Sequence, residues 1–224
     1  MQEMKKIFFF FISVFFSINL VGQNLVPNPS FEDTLVCPYY MGSLAPIANW
    51  HSFGNSVDCY HSCSSTMNVP NAPCGFQYAH SGEAMIGLVT YVWQYSPGWP
   101  NYREYAGVKL IDTLIIGTKY YLSFYMNCAG YLPGWQIIAA NKMGMRFSTV
   151  VYDSLTPPLP NNFAHLYTDS IDRDTVQWFH VSGSFVADSA YTYVVLGNFF
   201  DTLQTDTIIF GGAPFGGSSA YYYI

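Results

Sequence analysis

Asn24-Leu25-Val26-Pro27-Asn28-Pro29-Ser30-Phe31-Glu32 stands where an export signal gives way to the mature chain, and it bears on both destination and architecture. Upstream of it, Lys5 and Lys6 form a basic flank, residues 7–21 form an almost purely apolar run rich in Phe, and Gly22 precedes Gln23. This pattern reads as a cleavable secretory signal over residues 1–23. Its apolar run of about fifteen residues falls short of the roughly twenty that a membrane-spanning helix needs. No second such run follows, so the sequence predicts an exported mature chain, residues 24–224, with no transmembrane segment.

That length is enough for one sizeable core, and a single domain is the expectation. Aromatic residues make up 19% of the chain and charged residues 10%. Flat rings pack well across half-buried sheets, whereas a helical bundle would need far more Glu, Lys, Ala and Leu on its exposed faces. The net charge of −6, with no Lys/Arg cluster after the signal, argues against nucleic acid as a partner. Neutral ligands, other proteins or a divalent cation suit such a surface better.

Alternation locates the strands. Over residues 119–128, Tyr120, Leu122, Phe124 and Met126 alternate with Tyr121, Ser123, Tyr125 and Asn127. Phe179, Val181 and Phe185 likewise alternate with His180, Ser182 and Ser184. Further strands are expected at 84–92, 103–111, 143–152, 176–187, 191–200, 206–210 and 220–224. Gly117, Pro157-Pro158, Pro160 and the glycines at 211, 212, 216 and 217 mark turns between them, and residues 24–80 read as loop-rich. The fold class expected from this is an all-β, two-sheet β-sandwich. The final run, Ala220-Tyr221-Tyr222-Tyr223-Ile224, carries no polar tail and reads as a strand cut short.

All five cysteines follow the signal. Cys37, Cys59, Cys63 and Cys74 crowd the loop-rich first third and are the disulfide candidates in an oxidising compartment, with connectivity left open. Cys128, in a strand, is the expected unpaired thiol. Cys59-Tyr60-His61-Ser62-Cys63, with Cys74 beyond, also has the look of a zinc knot, although its spacing departs from paired C-x2-C.

Taken together, these motifs resemble a known family. The opening stretch resembles the first strand of the galactose-binding-like jelly rolls, a fold shared by many carbohydrate-binding modules. Cys37-Pro38 with Trp50, Gly75-Phe76-Gln77-Tyr78-Ala79 leading to Ser81-Gly82, Tyr102-Arg103-Glu104-Tyr105, and Leu196-Gly197-Asn198-Phe199 resemble a secreted variant from bacteria that use type IX secretion. The terminal tyrosines resemble the start of a Y-Y-x-I-D-D-V ending. The resemblance implies a jelly-roll topology and an extracellular, cell-surface or outer-membrane location, with a following region such as an outer-membrane-protein-A-like domain. It also implies a structural Ca²⁺ held by Glu32 and by a loop containing Ser81 and Glu83, completed by an Asp of the closing strand.

No catalytic signature is present: there is no G-x-S-x-G elbow and no H-E-x-x-H. Glu83 and Glu104 pair as acid and base only on paper. Asp169, Asp172 and Asp174 lack the Gly and distal Glu of a calcium loop and read as a solvated turn. His51, His61, His80, His165 and His180 lack ligand spacing. Trp93, Tyr95, Trp99 and Tyr102, with Trp135, sit on Pro/Gly-rich turns, where they serve either as flat platforms for a sugar or as caps on the sandwich ends. Trp50 and Trp178 are expected in the core. The sequence therefore favours a non-catalytic glycan-binding module, the alternative being a structural or adhesive module that contacts an envelope protein.

Overall fold

In the computed structural model the described residues are 22–53, 56–93, 102–131, 136–153, 158–212 and 218–224. The proposed signal, apart from Gly22 and Gln23, lies outside them, as do Tyr95, Trp99 and Trp135. The strands are β1 (Trp50–Ser52), β2 (Asp58–His61), β3 (Asn71–Ala72), β4 (Gly75–Phe76), β5 (Ala84–Trp93), β6 (Ala106–Lys109), β7 (Lys119–Cys128), β8 (Gln136–Ala140), β9 (Met143–Ser148), β10 (Leu166–Tyr167), β11 (Phe179–Val186), β12 (Tyr193–Asn198), β13 (Thr207–Gly212) and β14 (Ser218–Tyr223). One sheet runs β1-β6-β12-β9-β10. The other runs β11-β7-β14-β5-β2 and carries β8 and β13 on the far part of β14. The chain is an all-β sandwich.

Between the sheets lies the main core, in which Ile86, Leu88, Phe124, Met126, Tyr222 and Ile224 of one sheet meet Val108, Met145, Phe147, Val194 and Leu196 of the other. Both sheets are also covered over part of their outer faces. Residues from the segment between β2 and β5, including Met67, Val69 and Cys74, pack with Tyr60, Met85, Tyr221 and Tyr223 on the back of the larger sheet. Phe53, Tyr105, Ala164, Val195, Phe199 and Phe200 do the same behind the smaller one. Burial on two faces explains why β5, β8 and β14 read as continuous apolar or aromatic runs.

The opening stretch does not form the first strand that the resemblance implied. Pro27 and Pro29 have no N–H to give to a ladder, and Asn28 and Phe31 adopt φ of 47° and 64°. Asn28 instead organises a compact turn. Its side-chain amide donates to the Asp33 and Ala48 carbonyls, its Oδ1 accepts from Asp33 N, and its backbone carbonyl accepts from Trp50 Nε1 at 2.9 Å. Phe31 then packs on the Trp50 ring, centroids 4.9 Å apart, which places Trp50 in the core as expected.

One disulfide, Cys37–Cys63, joins two of the four candidates across a sequence separation of 26. A loop of this size stabilises the fold by about 3 kcal/mol through the entropy it removes from the unfolded chain. It fastens the segment before β1 to the cover behind the larger sheet. Cys59, Cys74 and Cys128 are free and buried, and burial pushes each thiol up to about 12.

Candidate functional site

The register of β7 on β11 sets His180 opposite Tyr125, Ser182 opposite Ser123 and Ser184 opposite Tyr121. Side chains alternate across a strand, so these six share the outward face while Leu122, Phe124 and Val181 face the core. The turn before β5 brings His80 onto Tyr125, with ring centroids 3.6 Å apart and planes 17° from parallel. His180 stacks on the same Tyr125 at 4.6 Å and 21°. Trp178 meets His80 edge-on at 5.9 Å and donates its Nε1 proton to the Tyr78 carbonyl. Tyr78 in turn stands edge-to-face with Phe76 at 5.4 Å.

The result is a row of rings, His180, Tyr125, His80, Trp178 and Tyr78, bordered by the hydroxyls of Ser123, Ser182 and Ser184. His80, His180, Tyr78 and the three serines are exposed. At the other end of the face Tyr121 is 82% exposed, with Lys119 Nζ 5.4 Å from its ring centroid. Trp178, expected in the core, is half-buried here, because it sits just before β11 on the outer side.

The turn that carries His80 is held by Glu32. Its Oε1 accepts from the backbone N–H groups of Glu83 and Ala84, both at 2.9 Å. Gly82, at φ +67°, lies against the same carboxylate, where any Cβ would collide with it. Glu83 turns its own carboxylate to the Ser62 hydroxyl at 2.5 Å, and Ser81 is exposed. Glu32, Ser81 and Glu83, named for calcium, are thus neighbours, but Glu32 Oε1 is already bonded to two backbone amides. Among the described residues no group of three or more His, Cys, Asp or Glu gathers as a metal centre.

Glu83 and Glu104 are not brought together. Glu104 is 2% exposed and accepts from Val89 N at 2.7 Å, Tyr102 OH at 2.9 Å and Ser56 Oγ at 2.9 Å. Burial, reinforced by the nearby charge of Asp58, pushes its carboxyl up to about 8. Asp58 on β2 is buried too, and burial raises it despite donors from Tyr221 OH, Gly42 N and Tyr60 OH. Tyr60 and Tyr221 share a hydroxyl contact of 2.8 Å. Both carboxyls are met by the fold's own donors: Asp58 joins β2 to β14 through Tyr221, and Glu104 bonds to Val89 of β5.

Of the aromatic-loop candidates, Trp93 is 56% exposed at the far end of β5. Tyr102 is half-buried against Glu104, with burial the main cause that raises its phenol. Tyr95, Trp99 and Trp135 lie outside the described residues. Sequence reasoning missed the ring row because it is assembled from three separate segments. No family model and no curated protein matches this sequence.

Proposed function

We propose that this chain is an exported, non-catalytic binding module that takes glycan on the outward face of β7 and β11. The observation that carries this reading is the row His180, Tyr125, His80 and Trp178, in which the two histidines are exposed and the other two rings half-buried, with exposed serine hydroxyls beside it. Sugars offer one apolar face to a ring and a rim of hydroxyls to small polar groups; on this face Tyr121, 82% exposed, is the ring and the three exposed serines are the polar groups. Further support comes from the strand order. The path β11-β7-β14-β5 faces β10-β9-β12-β6, so the chain passes back and forth between the sheets as a wrapped jelly roll requires. The disulfide fits an oxidising, extracellular or cell-surface location. Among the described residues no helix is long and apolar enough to cross a membrane.

A shallow surface buries little of its ligand, so affinity per site is expected in the range of roughly micromolar to millimolar. Glycan-array binding by wild type, its loss in Tyr121→Ala and Tyr125→Ala, and an almost unchanged melting temperature in Tyr121→Ala are the expected results. Loss through Trp99→Ala with both tyrosine variants intact moves the ligand to the loop of Trp93, Tyr95, Trp99 and Tyr102. Phe76 and Val176, 61% and 67% exposed near the row, favour the second reading, a structural or adhesive module in contact with an envelope protein. An array on which wild type binds nothing selects it.

Calcium at Glu32, Ser81 and Glu83 is proposed as a structural ion only. Ligand that binds the folded state alone raises stability. A higher melting temperature in calcium chloride than in chelator, lost in Glu32→Ala, supports the ion, and equal melting removes it.

A further inference from the structure

Among the described residues, the strands that end the two sheets are blunted at every edge but one. β10 has two residues, β1 three and β2 four, and β13 carries a bulge between Ile209 and Gly211. Short or bulged edges keep a sheet from pairing with another chain. β11 differs: its eight residues, Phe179-His180-Val181-Ser182-Gly183-Ser184-Phe185-Val186, include no charge and no proline and pair with β7 in unbroken register. Ala187 N bonds to the Thr118 carbonyl, and Ala129 N bonds to the Tyr221 carbonyl on the other side of β7. With bonds alternating along an antiparallel pair, Phe179, Val181, Gly183 and Phe185 turn their backbone groups to β7, and His180, Ser182, Ser184 and Val186 turn theirs away. Among the described residues no backbone bond reaches those four from beyond the strand. The side chains are uncovered here too. Phe179, Gly183 and Phe185 have the core-facing parity, yet Phe179 is 40% exposed and the other two are half-buried.

We propose that β11 is the seam of a twofold dimer, in which a second copy of this chain lays its own β11 antiparallel alongside and the two larger sheets become one. A twofold contact needs a self-complementary surface, and this strand has one about Gly183. Gly183 then faces Gly183 of the second copy, Val181 faces Phe185, Ser182 faces Ser184 and His180 faces Val186. Apolar residues meet on the core side and serines on the outward side, and all four outward backbone groups of each copy find partners. The strand holds no charge that an oppositely charged partner could read. Nor do two copies of a chain with net charge −6 bring an excess of one sign to the seam. Arg173 and Asp174 precede the strand, Lys119 and Asp188 stand at its other end, and the antiparallel arrangement sets one mixed pair against the other. The seam also extends the ligand face, a consequence that rests on the glycan reading. Ser182 and Ser184 of both copies come to lie between two Tyr121 rings three strand spacings, about 14 Å, apart, so one glycan chain can touch both rings.

The test is sedimentation equilibrium of the chain freed of residues 1–23, without glycan, from about 10 μM to about 1 mM, with hydrogen exchange at both ends of that range. The expected result is a dimer at the upper end and slowing of about tenfold or more, with rising concentration, at the amides of His180, Ser182, Ser184 and Val186. Ser182→Pro removes an outward N–H and leaves the bonds to β7 in place, a position at which an edge strand tolerates proline. It is expected to keep the wild-type circular dichroism and to stay monomeric throughout. Ser184→Lys, which alters no backbone group, sets two like charges diagonally across the seam and is expected to weaken the dimer about tenfold or more. A monomer at about 1 mM overturns the proposal. A dimer that survives both substitutions also overturns it, as does concentration-dependent slowing confined to other amides. Tyr121→Ala is expected to keep the dimer whatever its result on the array, so failure of the seam and failure of the glycan reading are seen separately.

Discussion

Gly87→Ala is expected to lower the unfolding free energy by about 3 to 5 kcal/mol. Gly87 is the β5 residue opposite Asp58 on one neighbour and Tyr223 on the other. The Tyr221 ring lies across it, so that the hydroxyl on β14 reaches Asp58 on β2 over the intervening strand. A Cβ at position 87 would fall inside that ring. The backbone cannot yield here, because β5 is paired on both sides, so the tyrosine must leave. Two costs then add: the strain of an overfilled layer, and a buried carboxyl deprived of a donor. Chemical denaturation measures the sum. The same substitution made in Tyr221→Ala is expected to cost far less, because the ring it displaces is already gone.

Stability is expected to fall as pH rises from about 4.5 to about 8, through Glu104. Its folded-state value of about 8 lies above the 4.5 of the unfolded chain, so the folded state holds a proton that the unfolded state releases. The stabilisation is complete below 4.5 and is lost as pH passes through 8. At about 1.36 kcal/mol per pH unit, about 5 kcal/mol is the ceiling for this group. Asp58, also raised, acts in the same direction. His165 acts oppositely: burial lowers it to about 4, so its contribution is present above 6.5 and fades as pH falls towards 4. The diagnostic quantity is therefore the difference between wild type and Glu104→Gln, measured by denaturation at pH 5 and about pH 8.5. Gln keeps an acceptor for Val89 N and donates to the Ser56 or Tyr102 oxygen, and its stability is expected to be flatter across the interval. Parallel curves for the two proteins would show that Glu104 is ionised throughout.

The strands that could be read in the sequence are those with one wet face. Lys119–Cys128 alternates cleanly and was legible to the residue, as was the parity of His180, Ser182 and Ser184 against Phe179, Val181 and Phe185. β8 was not, because Gln136–Ala140 is buried on both faces and gives a continuous apolar run with no period. β1 and β2 are too short and too polar to stand out, and the layer that hides Asp58 and Tyr60 is built from a stretch that reads as loop. The ring row was half visible. Tyr121, Ser123 and Tyr125 were assigned to one face, and His180, Ser182 and Ser184 to another, but only the register of β7 on β11 makes them a single surface. Nothing in local sequence announces that His80, from a third segment, completes it.

Tyr221, Tyr222 and Tyr223 point alternately into the layer behind the larger sheet and into the space between the sheets. β14 therefore acts as a rivet through two laminations. Peeling off the outer cover exposes the rings of Tyr221 and Tyr223, while parting the sheets exposes Tyr222, and each of these events weakens the strand on which the other depends. A body fastened in this way gives way all at once, with no state in which one lamination is lost and the other kept.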